Sequence, residues 1–278
     1  MPPLWSLHIR DSAGQTLASE ILSGRYALEE RLGHGATSNV YRALDRILER
    51  DVVVKILVEH LSQDVEFIER FKREALAAAA LSHANIVPVL DIGADDGRLY
   101  IVVAHVSGIS LDTLIAEGEL SIREARGVIS QAAAGLDYMH GRGVIHCDVK
   151  PGNLIITREA YSGDGFHARL SDFGVARQLE RTRIGSDPVG TPGYMCPEAW
   201  RGEEPTPRFD VYSLAVVAHR LIVGGYPVRN TRGGIQFSGE THTLPKVAQV
   251  LEHGLKDDPE QRTTSCVAFA ENLRGAFK

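Results

Sequence analysis

Cysteine is scarce in this chain and carries no pattern. Cys147, Cys196 and Cys266 are an odd number at wide spacings, with no Cys-x-x-Cys pair. That excludes a disulfide framework and a thiolate zinc site, and it fits a reduced, cytoplasmic setting. Positive charge is also short. Thirty Lys and Arg against 36 Asp and Glu leave a net charge of −6, so the basic face that nonspecific nucleic-acid binding needs is missing and no nucleic-acid partner is expected. Long apolar runs are absent as well: the longest, residues 211–223, contains His219 and Arg220 and is too short to cross a bilayer. The opening Met1-Pro2-Pro3-Leu4-Trp5 has no basic region, so it reads as no signal peptide. A soluble protein without a membrane partner is expected. Repeats and low-complexity tracts are missing too.

What is present is a chain of 278 residues, long for one core and short for two independent domains. Trp5, Leu7 and Ile9 share one alternating face, and Asp11-Ser12-Ala13-Gly14 offers a turn, which predicts a small β-element. It serves either as an ordered extension packed on the neighbouring strands or as a docking surface. From Tyr26 the pattern is strand-like, with Leu32-Gly33-His34-Gly35 leading to Ser38 and Val40. Glycines between paired strands let backbone N–H groups approach a phosphate with no Cβ in the way; a plain glycine hairpin has an equal claim on the same residues. In the strand over residues 52–58, Lys55 shares a face with Val53 and Leu57. A lone lysine there is ordinarily an edge residue with a solvated head. The next helix, expected over residues 64–81, changes that. Phe67, Phe71, Glu74, Ala78 and Leu81 lie on one stripe, and a carboxylate within an apolar stripe requires a cation. Lys55 is the obvious partner.

Residues 99–103 form another apolar strand. Ser121 and Glu124 fit a capping box, opening a helix that ends near His140-Gly141. Residues 154–156 and 168–170 predict two short strands. Residues 211–223 are apolar nearly all round, as a helix buried in a core would be; Asp210 before them is ordinarily a cap. Residues 229–242 are polar and glycine-containing and read as a loop.

The chemistry concentrates in His146-Cys147-Asp148-Val149-Lys150-Pro151-Gly152-Asn153, succeeded by Asp172-Phe173-Gly174. A carboxylate, an amine and a carboxamide on one loop, with a second carboxylate beyond, are what phosphoryl transfer from a metal–nucleotide complex needs. This set closely resembles the catalytic core of the eukaryotic-type (Hanks) protein kinases, in particular their bacterial Ser/Thr members.

The resemblance runs from about residue 24 to the end of the chain and implies an α+β, bilobal protein kinase fold. A small lobe over about 24–103, a mixed β-sheet with one long helix, is expected to lead through a hinge at 104–108 to a mainly helical lobe at 109–278, with residues 1–23 as an N-terminal extension. It implies ATP and Mg²⁺, with Mn²⁺ as an alternative, and protein substrates carrying Ser or Thr. Asp148 would receive the acceptor hydroxyl, Lys150 and Thr191 would meet the transferring phosphoryl, and Asn153 and Asp172 would hold the metal. Lys55, oriented by Glu74, would grip the α- and β-phosphates under the Gly33/Gly35 loop, with Ser38 in place of a third glycine. Leu32, Val40, Val53, Val103 and Ile155 would enclose adenine, Val53 narrowing the slot where the family usually has Ala. The backbone of Ala104 and Val106 would bond the base, with Ser110 near the ribose. Asp210 would hold the catalytic loop from below, and two copies could pair through the small lobe.

Gly190-Thr191-Pro192-Gly193-Tyr194-Met195-Cys196-Pro197-Glu198 resembles the family's peptide platform, with Glu198 expected to pair with Arg262. Small-molecule phosphotransferases lack this segment. A binding-only relative would have lost Lys55, Asp148 or Asp172, and all three are present. The departure is Cys147, where most of the family carries Arg.

Overall fold

Apolar side chains at alternate positions, such as Val52, Val54 and Ile56, bury one face of the strands in the first part of the chain. The structure, a computed structural model, describes residues 9–10, 16–17, 20–34, 38–58, 65–158, 165–172, 191–229, 235–236 and 245–278. Trp5, Leu7, the turn at 11–14, Gly35, Phe173-Gly174 and Gly190 lie outside the described residues. The chain divides into two compact units, one of residues 1–82 with 87–106 and the other of residues 83–86 with 107–278.

In the first unit, β1 (Ile9–Arg10) pairs with β2 (Thr16–Leu17). Beyond it is a six-stranded sheet, built from β3 (Ile21–Leu22), β4 (Tyr26–His34), β5 (Ser38–Asp45), β6 (Arg50–Leu57), β7 (Val89–Asp95) and β8 (Arg98–Ala104) in the order β3-β4-β5-β6-β8-β7. The expected mixed sheet is antiparallel in every pairing. The one long crossover, from β6 to β7, skips a position that β8 fills, so no two parallel strands become neighbours. That crossover carries α1 (Val65–Ala79), which stops two residues short of the expected Leu81. One face of the sheet is the core: Leu22, Tyr26, Leu28, Ala43, Val52, Val54, Ile56, Tyr100 and Val102 are buried together. Because Leu22 belongs to it, the sheet begins before residue 24.

The second unit opens with β9 (Ile109–Ser110), α2 (Leu111–Glu117) and α3 (Ile122–His140). Both arms of the Ser121–Glu124 capping box are formed. β10 (Leu154–Arg158) and β11 (Phe166–Leu170) join β9 in an antiparallel sheet of order β11-β10-β9. After them come α4 (Pro197–Trp200), α5 (Pro207–Ile222), α6 (Pro245–Gly254) and α7 (Cys266–Ala276), with α3 packed on both α5 and α7. Helix α5 starts three residues ahead of Asp210, which therefore sits in its first turn and is no cap. The stretch 229–242 is not wholly loop: β12 (Val228–Arg229) and β13 (Ile235–Gln236) form a ribbon within it.

Asp45 ties the end of β5 to the turn before β4. Its buried carboxylate accepts from Arg25 Nε (2.9 Å) and Nη2 (2.7 Å) and from the N–H groups of Ile47 and Leu48 (3.2 and 3.3 Å). The Arg25 guanidinium holds its pKa down, to about 2. Removing one partner of a buried pair is costly, so Asp45→Ala should destabilise the protein by about 3 kcal/mol at pH 7, the low end of the range because Arg25 is partly exposed. A depressed pKa contributes stability above the unfolded value and loses it as pH falls through the folded one. Urea midpoints of wild type and variant should therefore converge as pH drops from 4 towards about 2.

Candidate active site

The loop between α3 and β10 brings the second unit's polar groups to one point. Three donors converge on Asp148: Lys150 Nζ at 2.8 Å, Thr191 Oγ1 at 3.0 Å and Asn153 Nδ2 at 2.9 Å. Lys150 also donates to Thr191 Oγ1 at 2.8 Å, and Asn153 Nδ2 to the Asp148 carbonyl at 2.8 Å. The amide nitrogen of Asn153 is thus committed to Asp148, which makes its oxygen the atom a cation would take. The Asn153 carbonyl accepts from Ser171 N (2.9 Å) and Oγ (3.2 Å), so the residue before Asp172 is fastened to the loop. Asp172 comes next at φ 61, exposed, a left-handed backbone that Asp tolerates better than most residues.

Asp210 anchors this loop. Its fully buried carboxylate accepts from His146 N and Cys147 N, both at 2.9 Å, and bonds His140 Nε2 at 2.7 Å. Cys147 takes φ 62 there, strained for a residue with a Cβ. Burial lowers the pKa of His146, keeping the ring neutral. Its Nδ1 accepts from Asp148 N (3.3 Å) and its Nε2 donates to the Ser171 carbonyl (3.1 Å), the tautomer being assigned from these two bonds. Behind His140, Asp137 lies 3.6 Å from its Nδ1 and accepts from Cys266 N and Val267 N (3.0 and 3.1 Å) at the start of α7.

The first unit carries its own set on one sheet face. Registers pair Val40 with Lys55, Lys55 with Ile101, and Val53 with Val103. With the period of two, these side chains share the face opposite the core. All are half-buried. Desolvation pushes the Lys55 ammonium down to about 7. Glu74 is half-buried on α1. Gly33 and Ser38 lie on β4 and β5, and His34 Nδ1 meets Asn39 Oδ1 at 2.7 Å between the two strands; Leu32 is exposed. The Ala104 N–H donates to the Pro88 carbonyl at 3.0 Å. Ser110 Oγ caps α2, accepting from Thr113 N at 3.2 Å, and Ile155 is half-buried on β10.

Glu198 and Arg262 meet as a buried two-point pair, Nη2 to Oε2 at 2.6 Å and Nη1 to Oε1, as their flanking sequences predict. Arg262 also donates to the carbonyls of Lys256, Arg208 and Asp257 (2.6, 3.0 and 3.1 Å). Beside them the Cys196 thiol is pushed up to about 12 by burial, which makes it inert. The sequence did not reveal Asp137 and His140: they are three apart on α3, but their partners are 70 and more residues away.

The buried Asp210 thus holds a loop that carries Asp148, Lys150 and Asn153, and the salt-bridged Glu198–Arg262 pair follows in the chain. Residues 26–274 match the model of the protein kinase domain. The chain is 36% identical over 249 residues to the serine/threonine-protein kinase PrkC of Bacillus subtilis, covering 88% of this chain and 36% of that protein. It is 35% identical over 260 residues to the serine/threonine-protein kinase PknH of Mycobacterium tuberculosis, covering 87% of this chain and 40% of that one. The crystal structure of the Mycobacterium tuberculosis PknI kinase domain superimposes with a TM-score of 0.74 at 30% identity, covering 94% of this chain and 100% of that one. The chain belongs to the protein kinase family and has its bilobal α+β fold. It spans less than half the length of the curated relatives it matches, 36% and 40% of these two. Among the described residues, no helix is long and apolar enough to cross a membrane.

His140 gives this site a pH signature. Burial opposes its charge, but bonds from Asp137 and Asp210 outweigh it and raise the pKa from 6.5 to about 9. A raised pKa contributes stability that is complete below the unfolded value and lost as pH rises through the folded one. The stability gap between wild type and His140→Leu should therefore be widest near pH 6 and shrink as pH rises through about 9, read from urea midpoints.

Proposed function

We propose that this chain is an ATP-dependent serine/threonine protein kinase. The observation that carries the proposal is the convergence of Lys150, Thr191 and Asn153 on the Asp148 carboxylate. A hydroxyl arriving there finds a fixed acceptor, and positioning with electrostatic stabilisation is most of what phosphoryl transfer asks of a protein.

The donor set suits a hard divalent cation with a nucleotide: the Asn153 amide oxygen and the exposed Asp172 carboxylate are oxygen ligands of the right kind. We assign them to Mg²⁺, with Mn²⁺ as an alternative. Bound with ATP, the cation neutralises phosphate charge. Asp148 orients the acceptor hydroxyl and takes its proton as the oxygen bonds to the γ-phosphorus and the β–γ bridge breaks. Lys150 faces the transferring group. Lys55, with Glu74, holds the α- and β-phosphates beneath Gly33, Gly35 and Ser38. Leu32, Val40, Val53, Val103 and Ile155 take the adenine. With the Ala104 N–H given to Pro88, the base is left the carbonyl of Ala104 and the backbone of Val106. Proteins with Ser or Thr acceptors are the partners. Three free thiols fit action in the reducing cytoplasm.

Asp148→Asn should lose about a hundredfold or more in transfer to a protein substrate while nucleotide affinity changes little. Near-wild-type autophosphorylation by the purified variant would refute the assigned role.

Cys147 yields a second expectation. Where the family has Arg, that guanidinium grips a phosphate on the activation loop through paired, charge-assisted bonds. A thiol has no such fork. Activity should therefore not depend on phosphorylation of Thr182 or Ser186, both outside the described residues. With both replaced by Ala, phosphorylation of an added substrate should stay within about threefold of wild type; a tenfold loss would show that another cation reads those phosphates.

A further inference from the structure

The first turn of α7 delivers a thiol to a place where α3 already presents two other metal-ligating groups. Cys266, the first residue of α7, is fully buried. One ligand atom each from Asp137, His140 and Cys266 lie within 4.8 Å of one another, and His140 Nδ1 stands 3.6 Å from Asp137 Oδ1. Around a tetrahedral ion with bonds of about 2.0–2.3 Å, ligand atoms are roughly 3.3–3.7 Å apart, so the nitrogen and the oxygen already have that spacing. The carboxylate is held in place by the N–H groups of Cys266 and Val267, at 3.0 and 3.1 Å. A second feature points the same way. The other ring nitrogen, His140 Nε2, bonds the fully buried Asp210 carboxylate at 2.7 Å. A carboxylate behind the far nitrogen is the support that metal-binding histidines use to fix ring direction and free the near nitrogen's lone pair. The Asp137 side chain is 25% exposed, which opens the cluster to solvent and to a water as fourth ligand.

One carboxylate oxygen, one imidazole nitrogen and one thiolate suit a borderline ion that accepts tetrahedral geometry, which is Zn²⁺ rather than Mg²⁺ or Ca²⁺. We propose that Asp137, His140 and Cys266 form a zinc site that fastens the start of α7 to the end of α3. It is separate from the oxygen set of Asn153 and Asp172. It also differs from the thiolate clusters that scarce cysteine excludes, since it uses a single sulfur, brought in from 129 residues beyond Asp137. The exchange balances in charge: one Zn²⁺ enters as the protons of the Cys266 thiol and of His140 Nδ1 leave to solvent. Burial, with Asp210 and Asp137 facing it, holds the Cys266 thiol well above its usual pKa. Such a thiol is inert to oxidants, whereas a cation set between it and the carboxylates favours the thiolate. Through His140 the ion sits one side chain from Asp210, whose carboxylate holds the N–H groups of His146 and Cys147.

Co²⁺ reports a thiolate ligand by a charge-transfer band in the near ultraviolet, and Zn²⁺ competes for the same ligands. The test titrates Co²⁺ into the purified, chelator-treated chain under excess Mg²⁺, which fills oxygen-only sites. The band should grow to one equivalent, vanish when an equivalent of Zn²⁺ is added, and be absent from Cys266→Ser. Cys147→Ser should keep it. Asp137→Asn, at a partly exposed position that retains an oxygen acceptor, should fold and weaken Zn²⁺ affinity by at least about tenfold. That variant decides the matter if Cys266→Ser does not fold. Zn²⁺ should also raise the urea midpoint of the wild type and not that of Asp137→Asn. The proposal is overturned if no thiolate band forms by one equivalent, or if the band persists in Cys266→Ser or disappears in Cys147→Ser. It is equally overturned if Asp137→Asn binds Zn²⁺ as tightly as the wild type, or if Zn²⁺ leaves the wild-type midpoint unchanged.

Discussion

The Asp210 carboxylate is the constraint on which the catalytic loop depends. It has no exposure to water and three donors, the N–H groups of His146 and Cys147 and the His140 ring. Two successive peptide N–H groups can point at one carboxylate only if the backbone between them bends, and the bend is the left-handed Cys147. Asp148 is the next residue, so its direction is set by a helix's first turn. The desolvation of Asp210 is offset by these bonds, and losing the carboxylate would orphan buried amides that have no solvent to turn to. His146 then extends the arrangement sideways, joining the Asp148 backbone to Ser171.

The first unit solves a different problem with a simpler device. Alternation along β5, β6 and β8 sends Ala43, Val52, Val54 and Val102 into the core and Val40, Val53, Lys55 and Val103 to the other side. A slip of one residue in register would exchange the two sets. The face that lodges Lys55 is therefore fixed by the hydrophobic demands of the face behind it.

Much of this was legible in the sequence wherever the signal was local. The Ser121–Glu124 box marked the start of α3, the unbroken apolar run marked α5, and the spacing within residues 146–153 marked a cluster in which Lys150 and Asn153 meet Asp148. The Glu198–Arg262 pair was legible from its flanks. What escaped notice depends on distant partners. Asp137 resembles any helix-surface acid until α7 is placed behind it, and nothing near Asp112 announces Arg220, 108 residues on. The ribbon β12–β13 was hidden for another reason: two-residue strands are too short to show a period.

Burial works against the charge on Lys55, lowering its pKa from 10.5 to about 7. Its ammonium is therefore easier to deprotonate than that of a solvated lysine. A polyanion that reaches this sheet face favours the ammonium and so draws a hydrogen ion from the medium as it binds. Proton uptake then becomes part of the association equilibrium: the affinity declines as pH rises above neutrality, and the heat of binding varies with the ionisation enthalpy of the buffer that supplies the proton.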